Sequence, residues 1–182
     1  MKRTALLAAL LLASVPAFAA EQTVRVGGQA MFPSKTIVAN AVNSADHTTL
    51  VAAVKAAGLV DTLNSKGPFT VFAPTNAAFG MLPAGTVETL VKPENKGTLT
   101  SILTYHVVAG DYDSTKLRQM ILAGNGAAEL TTVQGGKLWI TMNGSTNMLV
   151  KDGKGMIADI TITDVAQSNG VIHVVDHVLM PG

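Results

Sequence analysis

The sequence predicts an α+β fold, with helices dominating the first two thirds of the chain and strands the last third. Three observations predict it. Apolar residues between about 34 and 122 recur at helical spacing, as Leu50, Val51, Val54 and Ala57 do. Beyond 130 they fall into short runs separated by turn pairs: Gly135-Gly136, Asn143-Gly144, Asp152-Gly153 and Asn169-Gly170. Helices and strands are segregated along the chain, which argues against the regular alternation of a parallel α/β sheet.

The elements follow in order. Thr23 to Val26 reads as a short strand broken by Gly27-Gly28. Ser34 is positioned to cap a helix carrying Ile37, Val38, Ala41 and Val42, and Ser44 or Asp46 to cap the next one, which Gly58 stops. Leu59 to Leu63 adds a turn or two. Phe69 to Phe72 is a buried strand. Thr75 caps the helix after it, with Asn76 in its first turn. Pro83 and Pro93 open two further helical pieces, because a proline at a helix start loses no hydrogen bond. Tyr105 to Val108 is strand-like, and Ser114 to Leu122 is a short helix. Five strands complete the chain: 130–133, 138–142, 148–151, 156–163 and 171–178.

The first nineteen residues carry a different signal. Lys2 and Arg3 precede an apolar run from Ala5 to Ala13, Pro16 ends it, and Ala17-Phe18-Ala19 has the small-x-small pattern of a cleavage site. The run is shorter than the roughly 20 residues a membrane span needs. Residues 1–19 are therefore expected to be a signal peptide, cut after Ala19 or Ala20. The mature protein is expected in the periplasm or outside the cell.

Cleavage leaves 182 − 19 = 163 residues, enough for one domain. It also removes two of the 13 basic residues, leaving 11 against 12 acidic ones and a net charge near −1. The charges are scattered, and nucleic acid and anionic membranes both require clustered Lys and Arg, so neither is expected as a partner. No second apolar run of spanning length exists. There is no cysteine, hence no disulfide and no thiol nucleophile.

Residues capable of chemistry are few. No Gly-x-Ser-x-Gly elbow, phosphate-binding loop or dinucleotide fingerprint is present. Asn143-Gly144-Ser145 matches a glycosylation sequon but equally makes a turn. Four histidines remain: His47, His106, His173 and His177. On a strand, His173 and His177 would share a face but stand roughly 13 Å apart, too far for one metal. His47, in the first turn of a helix, is expected to be solvated. His106 is expected to be half-buried and to need a partner. It is either a core histidine pinning nearby backbone or, with Tyr105, part of a binding surface. No catalytic residue, cofactor or metal is expected.

Three segments together resemble a known family. Phe69-Thr-Val-Phe-Ala-Pro-Thr-Asn-Ala-Ala-Phe79 resembles the first signature box of fasciclin domains. Tyr105-His106-Val-Val-Ala-Gly110 resembles their central tyrosine–histidine motif. Asn169-Gly-Val-Ile-His-Val-Val-Asp-His-Val-Leu-Met-Pro181 resembles their second box. The resemblance implies a fasciclin domain over 32–182, preceded by a lead-in over 20–31. It implies a wedge-shaped β-sandwich of two sheets with flanking helices. It makes Thr75, Asn76, Phe79, Asn169, Gly170 and His173 structural motif residues, and Tyr105 and His106 binding candidates. In function it implies a secreted bacterial module, not an enzyme, for adhesion to a surface, matrix or protein partner. The alternative, also found in the family, is a carrier of an apolar molecule such as a carotenoid or lipid. The low charge, at 14%, suits that alternative.

Overall fold

Val24–Val26 (β1) and Gln29–Met31 (β2) pair antiparallel around Gly27-Gly28, at the start of the computed structural model, which describes residues 22–182. The expected signal peptide lies outside those residues. Val26 and Met31 are buried in the core, so most of the segment expected to be a lead-in is a hairpin packed on the body.

The helical half is built from short pieces, and among the described α-helices only three start under a side-chain cap, from Thr36, Thr75 and Asp113. Helix α1 (Ile37–Ala41) is capped by Thr36, whose hydroxyl accepts from the Ala39 N–H at 3.3 Å. The cap falls two residues after the expected Ser34, because Thr36 is the residue with extended backbone three positions ahead of a free N–H. A 3-10 turn at Ala45–His47 leads into α2 (Thr48–Ala57). Ser44 begins that turn without capping it: its hydroxyl bonds His47 Nδ1 at 2.8 Å instead. Gly58 takes the left-handed conformation that ends α2, and α3 (Val60–Asn64) follows.

Strand β3 (Phe69–Pro74) runs into α4 (Asn76–Gly80), capped by Thr75 as expected, with the hydroxyl 3.2 Å from the Ala78 N–H. Replacing Thr75 by Ala is expected to lower unfolding free energy by about 1 kcal/mol, read as a shift of the urea midpoint at constant slope. Helix α5 (Thr86–Leu90) starts after Gly85, three residues beyond Pro83. A 3-10 turn at Pro93–Asn95 leads into α6 (Lys96–Tyr105), followed by β4 (Val107–Ala109) and α7 (Ser114–Ala123). Tyr105 thus ends a helix and His106 caps it. The strand-like reading of that stretch is correct only from Val107 onward.

The remaining strands are β5 (Ala127–Thr131), β6 (Lys137–Asn143), β7 (Asn147–Lys151), β8 (Ile157–Gln167) and β9 (Gly170–Val175). They are joined by the turn pairs the sequence marks. The sheet order is β4-β3-β9-β8-β7-β6-β5. Every pairing is antiparallel except β3 with β9. Strand β8 serves two halves. Its first residues pair with β7, and the rest pairs with β9 through register shifts between Ile160 and Val165. Such irregularities bend a strand. The far edges nearly meet: Val108 bridges Thr132, and the Val133 N–H donates to the Val107 carbonyl at 2.7 Å.

Two apolar cores result. One joins the helices to a sheet face through Ile37, Val54, Leu99, Leu103, Val71 and Val174. The other fills the nearly closed sheet with Phe72, Tyr105, Leu138, Ile140, Val150 and Val175, stoppered by Leu117 and Ile121 of α7. Strand β9 feeds both: Ile172 and Val174 face the first core, Val175 the second.

Candidate functional site

The three motifs lie far apart in sequence and side by side in the fold. Phe69 pairs with Gly170 and Pro74 with Val175 along the parallel β3–β9 ladder, while Phe69 to Val71 pairs with Val107 to Ala109 of β4 on the other edge. The motif residues therefore form one central block.

His106 sits at the helix–strand junction of that block and is fully buried, more deeply than the half-burial expected. Its Nδ1 is 2.9 Å from the Ile102 carbonyl, and its Nε2 accepts from the Leu179 N–H at 2.9 Å. A carbonyl on one nitrogen and an N–H on the other select the neutral ring protonated at Nδ1. Burial depresses its pKa to about 4, against smaller opposing effects of the Ile102 carbonyl and the Asp152 charge. Tyr105 beside it is equally buried. Its hydroxyl donates to the Lys137 carbonyl at 2.6 Å and accepts from the Gly153 N–H at 2.7 Å, and burial raises its pKa.

The adjoining Asp152 is buried too. One of its oxygens accepts from Lys154 and Met156, the other from the Met180 N–H at 2.9 Å. His106 and Asp152 thus hold adjacent N–H groups of the C-terminal segment. The sequence marked Asp152 only as a turn residue. Neither Tyr105 nor His106 presents a surface, so a partner would reach them only by opening this junction.

The other motif residues are also tied inward. Asn169 accepts from the Ile37 N–H at 3.0 Å and donates to the Leu63 and Ser65 carbonyls at 2.7 and 2.9 Å. Asn76 accepts from the Thr49 N–H and donates to the Ala45 carbonyl, locking the start of α2 to α4. Phe79 is buried in the helix-side core. His173 stacks on Phe72 with ring centres 5.7 Å apart. Its Nε2 is 2.8 Å from the Tyr112 carbonyl, its Nδ1 accepts from the Asp164 N–H, and burial lowers its pKa. His177 lies past the end of β9 and contacts Asp176 at 2.8 Å. Among the described residues no group of three His, Asp or Glu is placed to hold a metal ion.

His47 departs most from expectation. It is buried, not solvated, because the β1–β2 side of the molecule covers the turn that bears it: a Cβ on Gly27 would stand 2.5 Å from Ser44 Oγ. Its Nδ1 bonds Ser44, and the ring also interacts with the Ala73 backbone. Burial lowers its pKa despite Asp46 nearby. It lines an apolar cavity between the helices and the sheet.

The family model of the fasciclin domain matches residues 45–181. The chain belongs to the fasciclin domain family. It is 45% identical to protein sll1483 of Synechocystis over 88% of this chain and 82% of that protein. It is 41% identical to immunogenic protein MPB70 of Mycobacterium bovis over 78% of this chain and 66% of that one. Transforming growth factor-beta-induced protein ig-h3 of Sus scrofa is 41% identical over 72% of this chain but only 17% of its own length. Among solved structures, a FAS1 domain pair from the insect cell adhesion molecule fasciclin I superposes with a TM-score of 0.59 at 26% identity, over 72% of this chain and 43% of that one. The fasciclin fold expected from the motifs is therefore the fold observed, and no catalytic family is indicated. Among the described residues no helix is long and apolar enough to cross a membrane.

Proposed function

We propose that this fasciclin domain is an exported, non-catalytic interaction module that attaches to a protein or matrix component of the cell envelope through its outer surface. The observation that carries this reading is the inward direction of the motif residues. Tyr105, His106, Asn169 and His173 are buried and hydrogen-bonded to backbone within the chain, which leaves the exterior for a partner. That exterior carries large apolar side chains: Leu122 is 81% exposed, and Met81, Met156 and Ile157 are about half exposed. Relatives named for surface or adhesion roles, a mycobacterial cell surface glycolipoprotein and the insect cell adhesion molecule, support the same reading. The test is a deletion strain assayed for attachment, together with a pull-down from the native envelope using the mature chain. Lost attachment, restored by the exported protein but not by a Leu122→Glu/Ile157→Glu variant of unchanged melting temperature, is the expected result. Attachment that survives deletion would count against the proposal.

A further inference from the structure

Strands β5 to β8 bury one face and leave the other open. Leu138, Ile140, Val150 and Ala158 point into the sheet and are fully buried. The residues that alternate with them point outward. One outward row crosses all four strands: Glu129 pairs with Trp139, Trp139 with Lys151, and Lys151 with Ile157. Glu129, Lys151 and Ile157 are exposed, and Trp139, the single tryptophan of the chain, is partly exposed. In the next row Leu149, also partly exposed, pairs with the exposed Asp159. Trp139 and Leu149 belong to neither apolar core.

The indole is held in place on this face. Glu129, directly across from it, is ion-paired to Lys137 at 2.9 Å, and Lys137 also donates to the Thr131 hydroxyl at 2.8 Å. The Glu129 carboxyl is held below its ordinary pKa first by its hydrogen bond to Lys137, then by that ammonium's charge, with the Trp139 indole adding to both. The polar edge of the ring is thus engaged within the chain, which leaves its apolar face. On the far side of the ring, Lys151 and Asp159 form no ion pair among the described residues.

Size and charge narrow the occupant. The ladders here pair over at most five residues, and strands about 4.8 Å apart with a rise of about 3.4 Å per residue give a face of roughly 14 by 17 Å. That is far less than the roughly 800 Å² that each partner of a stable protein–protein interface buries. The face carries Lys137 and Lys151 against Glu129 and Asp159, so it favours an ion of neither sign. A free donor and a free acceptor beside an aromatic ring suit hydroxyl groups, which both donate and accept.

We propose that this face binds a neutral polysaccharide, an equatorially linked pyranose chain, with one sugar ring stacked on Trp139 and its hydroxyls on Lys151 and Asp159. Such a ring presents a flat face of C–H bonds, to which the negative face of an indole is complementary, and a rim of hydroxyls. The inference rests on the attachment reading and names its matrix component as a glycan.

The test titrates the mature protein with chitotetraose. Trp139 is the only tryptophan, so its fluorescence reports this face alone. The expected result is a saturable shift to shorter wavelength with protection from acrylamide quenching. Calorimetry should show binding weakened about tenfold by Trp139→Ala, the order of one lost aromatic contact, and partly restored in Trp139→Phe, at unchanged melting temperature. If Trp139→Ala does not fold, Lys151→Ala, at an exposed position, should weaken binding in its place. An unmoved fluorescence, binding indifferent to these substitutions, or a pull-down in which a protein and not a glycan is lost with Trp139 would each overturn the proposal. Failure of chitotetraose to bind while the deletion strain still loses attachment sinks the glycan alone; attachment that survives deletion sinks the attachment reading, whatever the titration shows.

Discussion

Gly170→Ala is expected to abolish the folded state. Gly170 has φ +151°, and a Cβ built there would stand 1.9 Å from the Phe69 carbonyl oxygen and 2.8 Å from the Phe69 carbonyl carbon and nitrogen. Nothing soft lies in the way. The colliding atoms are backbone of β3, paired to Gly170 itself at the start of the parallel ladder, and the Phe69 N–H is bonded to the Asn169 carbonyl at 3.0 Å. Relief would require separating the two central strands. Overpacking against side chains costs about 1–3 kcal/mol. Against fixed backbone the cost should exceed about 4 kcal/mol, a large part of the roughly 5–15 kcal/mol that holds a domain together. Gly144→Ala is the control: φ is +72° there as well, but nothing lies within 4 Å, so only about 1 kcal/mol of backbone strain is added. Soluble yield and urea unfolding of the two variants measure the contrast. A Gly170→Ala protein that unfolds within about 1 kcal/mol of wild type would refute the account of the β3–β9 junction.

The second large effect is loss of stability in mild acid through buried neutral histidines. The pKa of His106 is lowered from 6.5 to about 4, and His47 and His173 are lowered too, in each case chiefly by burial. The facing carboxylates, Asp152 at His106, Asp46 at His47, and Asp164, Asp113 and Asp111 at His173, oppose this without reversing it. Below pH 6.5 the unfolded chain takes up protons that the folded chain refuses, so unfolding is favoured. Stability is therefore full above about pH 6.5 and declines as pH falls toward about 4, where His106 finally titrates in the fold. His106 alone accounts for about 3 kcal/mol over that interval, at 1.36 kcal/mol per pKa unit. His106→Ala should lower stability at pH 7 by about 3–5 kcal/mol, since it opens a cavity and leaves the Leu179 N–H and the Ile102 side of the junction without partners. It should also flatten the decline between pH 6.5 and 4 by about one proton. Urea unfolding of both proteins across that range tests it. An unchanged pH slope in the variant would show that His106 is not the titrating group.

How much was legible in advance depends on how local the cause is. Thr75 could be recognised as a cap because the hydroxyl, the helix start and the receiving N–H lie within four residues. Thr36 was missed in favour of Ser34 because both have the right chemistry, and only backbone geometry separates them. Tyr105 and His106 read as strand because a helix end with apolar neighbours has no periodicity to betray it. His47 read as solvated because its own turn is polar, and the hairpin side that covers it is separated by some twenty residues. Asp152 read as a turn residue, and its second oxygen found the Met180 N–H across 28 positions. The candidate site thus consists of residues whose types were visible and whose surroundings were not.

The sequence by itself determined the kinds of element, the turns between the late strands, the cap at Thr75 and membership of the fasciclin family, because propensity, alternation and motif order are properties of neighbouring residues. Only the tertiary structure decided that β3 and β9, about a hundred residues apart, lie parallel and adjacent, and that β8 bends to serve two halves of the sheet. It alone decided that three histidines are held neutral. Strand partners and desolvation are set by atoms that folding brings in from elsewhere, so no local pattern encodes them.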